Sequence, residues 1–206
     1  MNWNIVKGAC LALLPVAGTL KAQEKPNIVV ILADDLASNE ISCYGGKNLK
    51  TPNIDRIAEE GIRFTNNFAS CAMSVPIRAS LYTGLYPARH GSYQNHKISY
   101  SDIKSVTYYL PQAGYRVGRA GKTHTVPKSV FNFEKVPGFE ENCIAVTADY
   151  TVDGIRDFMR QDSPFCLFVC STLSHAPWTC GNKDEFDADK VILPPNCVDN
   201  KGTREL

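Results

Sequence analysis

The sequence predicts an α/β fold, a mainly parallel sheet flanked by helices. Two observations carry this expectation. Three segments, Asn27–Leu32 (NIVVIL), Tyr115–Gly121 (YRVGRAG) and Pro164–Leu173 (PFCLFVCSTL), read as strands, and the first and third are near-continuous apolar runs. Such runs suit strands covered on both faces, as in parallel sheets. Segments of helical spacing lie between them, and strand–helix alternation of this kind argues for a layered α/β domain.

Each element has a local reason. NIVVIL holds no charge and is expected to be buried on both faces. In TPNIDRIAEEG, Thr51 is the expected N-cap, Pro52 the first helical residue and Gly61 the stop, with Ile54, Ile57 and Ala58 on one apolar side. SVPIRASLYTG reads as a short helix closed by Gly84. VTYYLPQAG looks helical, but Pro111 is expected to kink that helix or to delay its start. DYTVDGIRDFMRQ places Val152, Ile155, Phe158 and Met159 at helical spacing. The last stretch, DEFDADKVILPPNCVDNKGTREL, is loop-like, with no closing helix or strand expected. The chain has no internal repeat and no low-complexity segment.

Composition narrows the function classes. The net charge is +1, without a basic run or acidic tail, so neither a nucleic acid nor an anionic membrane is an expected partner. The first residues read as a signal peptide: Lys7, then the short apolar GACLALLPVAGTL, then a small residue at Ala22. Residues 1–22 are therefore set apart from the fold, and the mature protein is expected to be periplasmic or secreted. Of eight cysteines, Cys10 falls in that leader. The odd number left cannot all pair, and the absence of any CxxC spacing argues against a zinc or redox motif. Cys166 and Cys170 lie in an apolar run and are expected in the core.

The polar clusters fall where the strands end. The first strand runs into Asp34 and Asp35, the second into Lys122 and His124, the third into STLSHAPW with His175. In parallel sheets that edge is where ligands bind. Adjacent carboxylates repel unless a cation joins them, so Asp34 and Asp35 suggest a hard divalent metal, Ca2+ or Mg2+; alone, they also fit a turn with two solvated acids. Lys122 and His124, two apart, would face the same way on a strand end and could clamp an anion; alone, they also fit a surface lysine and a satisfied histidine.

Five segments in order, KPNIVVILADDL, TPNIDRIAEEGIRFTNNF, SVPIRASLYTGLYPARHG, AGYRVGRAGKTH and FVCSTLSHAPW, give the chain its resemblance to the sulfatases of the alkaline-phosphatase-like superfamily. The most specific of these is the Cys/Ser-x-Pro-x-Arg signature with its Thr-Gly pair, here Ser74, Pro76, Arg78, Thr83 and Gly84. Cys71 does not fit that signature, since Met73 and Val75 follow at the spacings where Pro and Arg are required. The resemblance implies that Ser74 is oxidised to formylglycine by a radical-type sulfatase-maturing enzyme. It implies a hydrated aldehyde whose one hydroxyl attacks sulfur and displaces the alcohol. Loss of a proton from the second hydroxyl then breaks the carbon–oxygen bond to sulfate and restores the aldehyde.

The same resemblance assigns the other residues. Asp34, Asp35 and the modified Ser74 would hold the metal, Ca2+ or alternatively Mg2+. Arg78 would orient the hydrated aldehyde, Lys122 and His175 would contact sulfate oxygens, and His124 would assist proton transfer. The stretch GKTHTVPKSVFNF is similar to the heparan N-sulfatase branch, which implies a sulfated sugar or glycosaminoglycan fragment as substrate. Three residues depart from the family pattern: Ile77 in the signature, Thr123 where Trp is usual, and Pro111 in a normally smooth helix. Sulfatases are longer and place further metal and lysine ligands later in the chain, so residues 23–206 are expected to be a truncated N-terminal part of the catalytic domain. Two other readings stand beside a sulfatase: a phosphoester or phosphonate hydrolase of the same superfamily, and a non-catalytic remnant.

Overall fold

A four-stranded, all-parallel sheet forms the centre of the molecule, in the order β1-β4-β2-β3. The computed structural model describes residues 25–144, 147, 149–178, 180–182, 185 and 187–204. The expected signal peptide lies outside them. The strands are β1 (Ile28–Ala33), β2 (Arg116–Gly121), β3 (Glu134–Val136) and β4 (Phe165–Ser171), and the helices are α1 (Pro52–Glu60), α2 (Ser74–Thr83), α3 (Pro87–His90), α4 (Val106–Gln112), α5 (Asp153–Met159) and α6 (Lys201–Arg204). Three short 3-10 turns, Ser38–Glu40, Ser42–Tyr44 and Ala188–Lys190, complete the regular structure among the described residues.

β4 is the axis of the core. Its first six residues are all buried, and their alternation feeds two clusters. Cys166, Phe168 and Cys170 face α2 and α4, packing with Ala79, Tyr82, Val117 and Phe131. Phe165, Leu167 and Val169 face the other way and pack with Ala120, Val136 and Phe158 of α5. Tyr82 joins the first cluster through edge-to-face contacts with Phe168 at 5.1 Å and Phe133 at 4.8 Å, the geometry ring quadrupoles favour. Both cysteines expected in the core are there, and no disulfide joins cysteines among the described residues.

β1 differs from expectation. It pairs only with β4, at the edge of the sheet, and Val29 and Ile31 on one face are 46% and 66% exposed. Val30 and Leu32, on the other face, pack against the α2 cluster. The apolar run therefore predicted the strand correctly but not its covering. The apolar side of α1 is likewise open, with Ile54 and Ile57 exposed.

Several local expectations are corrected. Thr51 stands at the N-cap of α1 but caps nothing with its side chain; its Oγ1 donates to Asp55 at 3.1 Å and accepts from the Ser42 N–H at 3.0 Å. Pro111 does not delay α4, which begins at Val106; it sits in the last turn with one helical residue after it, where only one intrahelical bond is lost. α4 instead starts from a true cap, Ser105, whose Oγ accepts from Thr107 N–H at 3.3 Å. β3 was not foreseen, and α6 gives the final stretch one helical turn.

Gly84 closes α2 as expected, at φ 71°, with its N–H on the Ser80 carbonyl at 2.8 Å. Gly121 has a stricter role at the end of β2. Its φ is +84°, and a Cβ there would lie 2.2 Å from the Cys170 carbonyl oxygen. Only glycine lets β2 turn away this close to β4, and that turn delivers Lys122.

Candidate active site

Because the strands are parallel, the carboxyl ends of β1, β2 and β4 share one edge. The ladder continues one step past each neighbour: Asp34 N–H donates to Ser171 O and Lys122 N–H to Cys170 O, both at 3.0 Å. These bonds hold Asp34 and Lys122 rigidly at the sheet rim. Lys122 follows the strand's end, so the alternation argument for Lys122 and His124 does not apply; the turn places both, with His124 at φ 38°.

Asp34 is the hub. It is 8% exposed, and one oxygen, Oδ1, accepts from Arg78 Nη2 at 2.8 Å. The other, Oδ2, accepts from the Lys122 ammonium, which is itself 1% exposed and also donates to the Cys143 carbonyl at 3.2 Å. Burial by itself would raise the Asp34 carboxyl, but the bonds from Lys122 and Arg78 outweigh it and hold the group below its ordinary value. Ser174 Oγ donates to the Asp34 carbonyl at 2.7 Å, tying the β4 loop to β1. That loop also carries His175, with Nε2 at 3.4 Å from Asp35 Oδ2 and 4.0 Å from Asp34 Oδ2. Asp35, at φ 60°, is turned outward and is 64% exposed.

Ser74 is the first residue of α2. Its Oγ accepts from Arg78 Nε at 3.3 Å, so the serine and the guanidinium one turn later do meet. The dipole of the helix adds a partial positive charge at this end. Asp34, Asp35, Ser74 and Arg78 line one cavity of about 460 Å3, together with Cys71 and Met73. Arg78 Nη1 is buried without a partner among the described residues, and so are both ring nitrogens of His124. Buried polar atoms are normally satisfied, so Arg78 Nη1 and the single N–H of a neutral His124 can each donate to a ligand oxygen, while the other His124 nitrogen is left to accept from a hydroxyl. Burial, then the charges of Lys122, His96 and Arg78, push His124 down to about 4, leaving a neutral imidazole at neutral pH.

Contacts thus join six of the seven residues singled out from the sequence, Asp34, Asp35, Ser74, Arg78, Lys122 and His175, while His124 bonds to none of them directly and feels the charges of Lys122, Arg78 and Asp34. Asp34, Asp35 and His175 each offer a ligand atom within 4.8 Å of the others, a set that fits a divalent cation through two hard carboxylates. The sequence reading missed Asn95, which reaches the start of α2, and His96, whose ring lies 5.5 Å from that of His124. Neither belongs to a recognisable motif, and their placement depends on how the loop after α3 folds.

The chain matches the Sulfatase family model over residues 26–190. It is 38% identical to an ulvan-active sulfatase of Formosa agariphila, over 75% of this chain and 31% of that protein. It is 34% identical to the human N-sulphoglucosamine sulphohydrolase, over 84% of this chain and 36% of that protein. The chain thus spans about a third of the length of these curated relatives. A solved structure in complex with its substrate D-glucosamine-2-N,6-O-disulfate superposes with a TM-score of 0.64 at 30% identity, over 75% of this chain and 36% of that one. A helix opening on Ser74 and Arg78, set against paired carboxylates at a parallel-sheet rim, and a family model that takes in every one of those residues lead to the same conclusion: the chain belongs to the sulfatase family.

Proposed function

We propose that the full-length protein is a sulfuric ester hydrolase that removes sulfate from a sulfated sugar or glycosaminoglycan fragment, through a formylglycine made from Ser74. The observation that carries this reading is a set of unsatisfied buried groups: Arg78 Nη1, on the guanidinium whose Nε bonds Ser74, and the ring nitrogens of His124, which feel the charges of Lys122 and Arg78, at a rim where cations outnumber the buried carboxylate. Such a site lacks an anion with several oxygens, and sulfate is one.

Each residue has a task. Asp34 and Asp35 would hold a divalent cation, Ca2+ by preference for oxygen ligands, which offsets sulfate charge and acidifies a bound hydroxyl. Arg78 orients the oxygen at position 74 through its Nε and keeps Nη1 for a second oxygen. Lys122 lends positive charge from a buried position where water does not weaken it. His124, neutral, accepts a proton from a hydroxyl at position 74. His175 Nδ1 lies 2.6 Å from the Ala176 carbonyl, which fixes the ring with Nε2 toward the site. The names of the relatives, an N-sulphoglucosamine sulphohydrolase and a structure with D-glucosamine-2-N,6-O-disulfate, support a sulfated-sugar substrate class. Among the described residues no helix is long and apolar enough to cross a membrane. The leader expected from the sequence at residues 1–22 supports reading the protein as exported.

The test is sulfate release by the full-length protein, co-produced with a radical-type sulfatase-maturing enzyme. Glucosamine carrying N- or O-linked sulfate and an aryl sulfate should be hydrolysed, and the matching phosphate and phosphonate esters far more slowly. Faster hydrolysis of the phosphorus esters would overturn the assignment.

A further inference from the structure

We propose that Asn95 is a positioning residue for the reacting group at position 74; this rests on the sulfatase reading above. The first N–H groups of any α-helix lack partners within the helix. In α2 the N-cap position is Met73, whose side chain cannot accept. Of the next donors, Pro76 has none and Ile77 N–H is taken by the Met73 carbonyl at 3.1 Å. Besides Ser74 itself, that leaves Val75, which is 2% exposed and beyond the reach of bulk water. Its N–H donates to Asn95 Oδ1 at 3.0 Å, across twenty residues of sequence.

The geometry makes this bond more than a cap. The Val75 N–H lies in the peptide plane that leaves the Ser74 α-carbon, and that plane is rigid. Holding it therefore fixes the direction from which the position-74 side chain departs. The loop that supplies Asn95 is itself anchored at its base. Ser92 Oγ lies 2.7 Å from Ser99 Oγ and donates to Lys97 O at 3.2 Å, while Ser99 N–H donates to Val126 O at 3.0 Å. The next residue, His96, adopts φ 65° and sets its ring 5.5 Å from His124. One braced loop thus meets both the helix start that carries Ser74 and the imidazole of His124. An error in their relative placement is costly, since misplacement of about 1 Å can lose about a hundredfold in rate.

The test uses full-length, matured protein with Asn95→Ala and Asn95→Asp, the second keeping an acceptor. Turnover per mole of aldehyde, KM and amide hydrogen exchange at Val75 are measured together. Asn95→Ala is expected to lose about tenfold in kcat per aldehyde, with KM changed less than about twofold, and to speed Val75 exchange about tenfold. Asn95→Asp is expected to recover most of both. Wild-type kcat per aldehyde in Asn95→Ala, or equal losses in Ala and Asp, would overturn the proposal. If the wild type releases no sulfate, the sulfatase reading fails on its own. Faster Val75 exchange in Asn95→Ala would then still support the anchoring, and unchanged exchange would overturn it.

Discussion

Asp34→Asn removes one negative charge and leaves two positive ones in place. Lys122 and Arg78 are 1% and 4% exposed, and both make their charged contacts to the two oxygens of this one carboxylate. Removing one partner of a buried ion pair costs about 3–5 kcal/mol, because the remaining charge stays out of water. For a chain of this length each kcal/mol lowers the melting temperature by about 2–4 °C, so Asp34→Asn should melt about 6–20 °C below wild type. Lys122→Met should cost less, about 0–2 kcal/mol, because Asp34 keeps Arg78 and the Met side chain fills the space of the lysine stem. The discriminating species is the double variant. Asp34→Asn with Lys122→Met leaves only one unpaired charge and should be more stable than Asp34→Asn alone, with a coupling of about 2 kcal/mol. Thermal and urea unfolding of the four proteins in chelator, so that no metal intervenes, gives the cycle. Purely additive effects, or an Asp34→Asn protein within about 2 °C of wild type, would refute the view that Asp34 neutralises both cations.

Three further outcomes follow from the same geometry. Gly121→Ala should destabilise by about 3 kcal/mol or more in urea unfolding, since its φ is +84° and a new Cβ would lie 2.2 Å from the Cys170 carbonyl oxygen. Stability should fall between neutral pH and about 5: His90 and His124 are both held below their ordinary 6.5, burial foremost, so the unfolded chain takes up protons the folded one refuses. Melting scans in which His90→Gln flattens part of that slope would check it. Calcium should stabilise the full-length protein by about 3 kcal/mol at a hundredfold excess over Kd, raising its melting temperature, and chelator should remove that gain, with Asp35→Asn weakening the response; calorimetric titration gives the affinity.

What could be read from the residues alone depended on how local the signal was. The apolar run of β4 announced a strand buried on both faces because six buried residues in succession have no other use. The same kind of run in β1 carried no information about its neighbours, and Val29 and Ile31 lie open at the sheet edge. β3 escaped notice because its three residues, Glu134, Lys135 and Val136, are mostly charged and are recruited by pairing with β2. Asp34, Asp35, Lys122, His124 and His175 were legible because parallel strands deliver their ends to one rim, which topology dictates without side-chain detail. That Arg78 and Lys122 divide the two oxygens of Asp34 between them was not legible, since it rests on a helix packing across the sheet. Asn95 and His96 were invisible for the same reason: a loop outside any motif brings them there.

Whether the side chain at position 74 becomes an aldehyde is measured most directly by mass spectrometry of the peptide spanning Ser74, from protein purified out of its native host. The predicted spectrum shows that peptide lighter by two hydrogens and shifted again after reaction with a hydrazide, with sulfate release rising in proportion to the converted fraction. An unconverted serine in protein that still releases sulfate at full rate would contradict it.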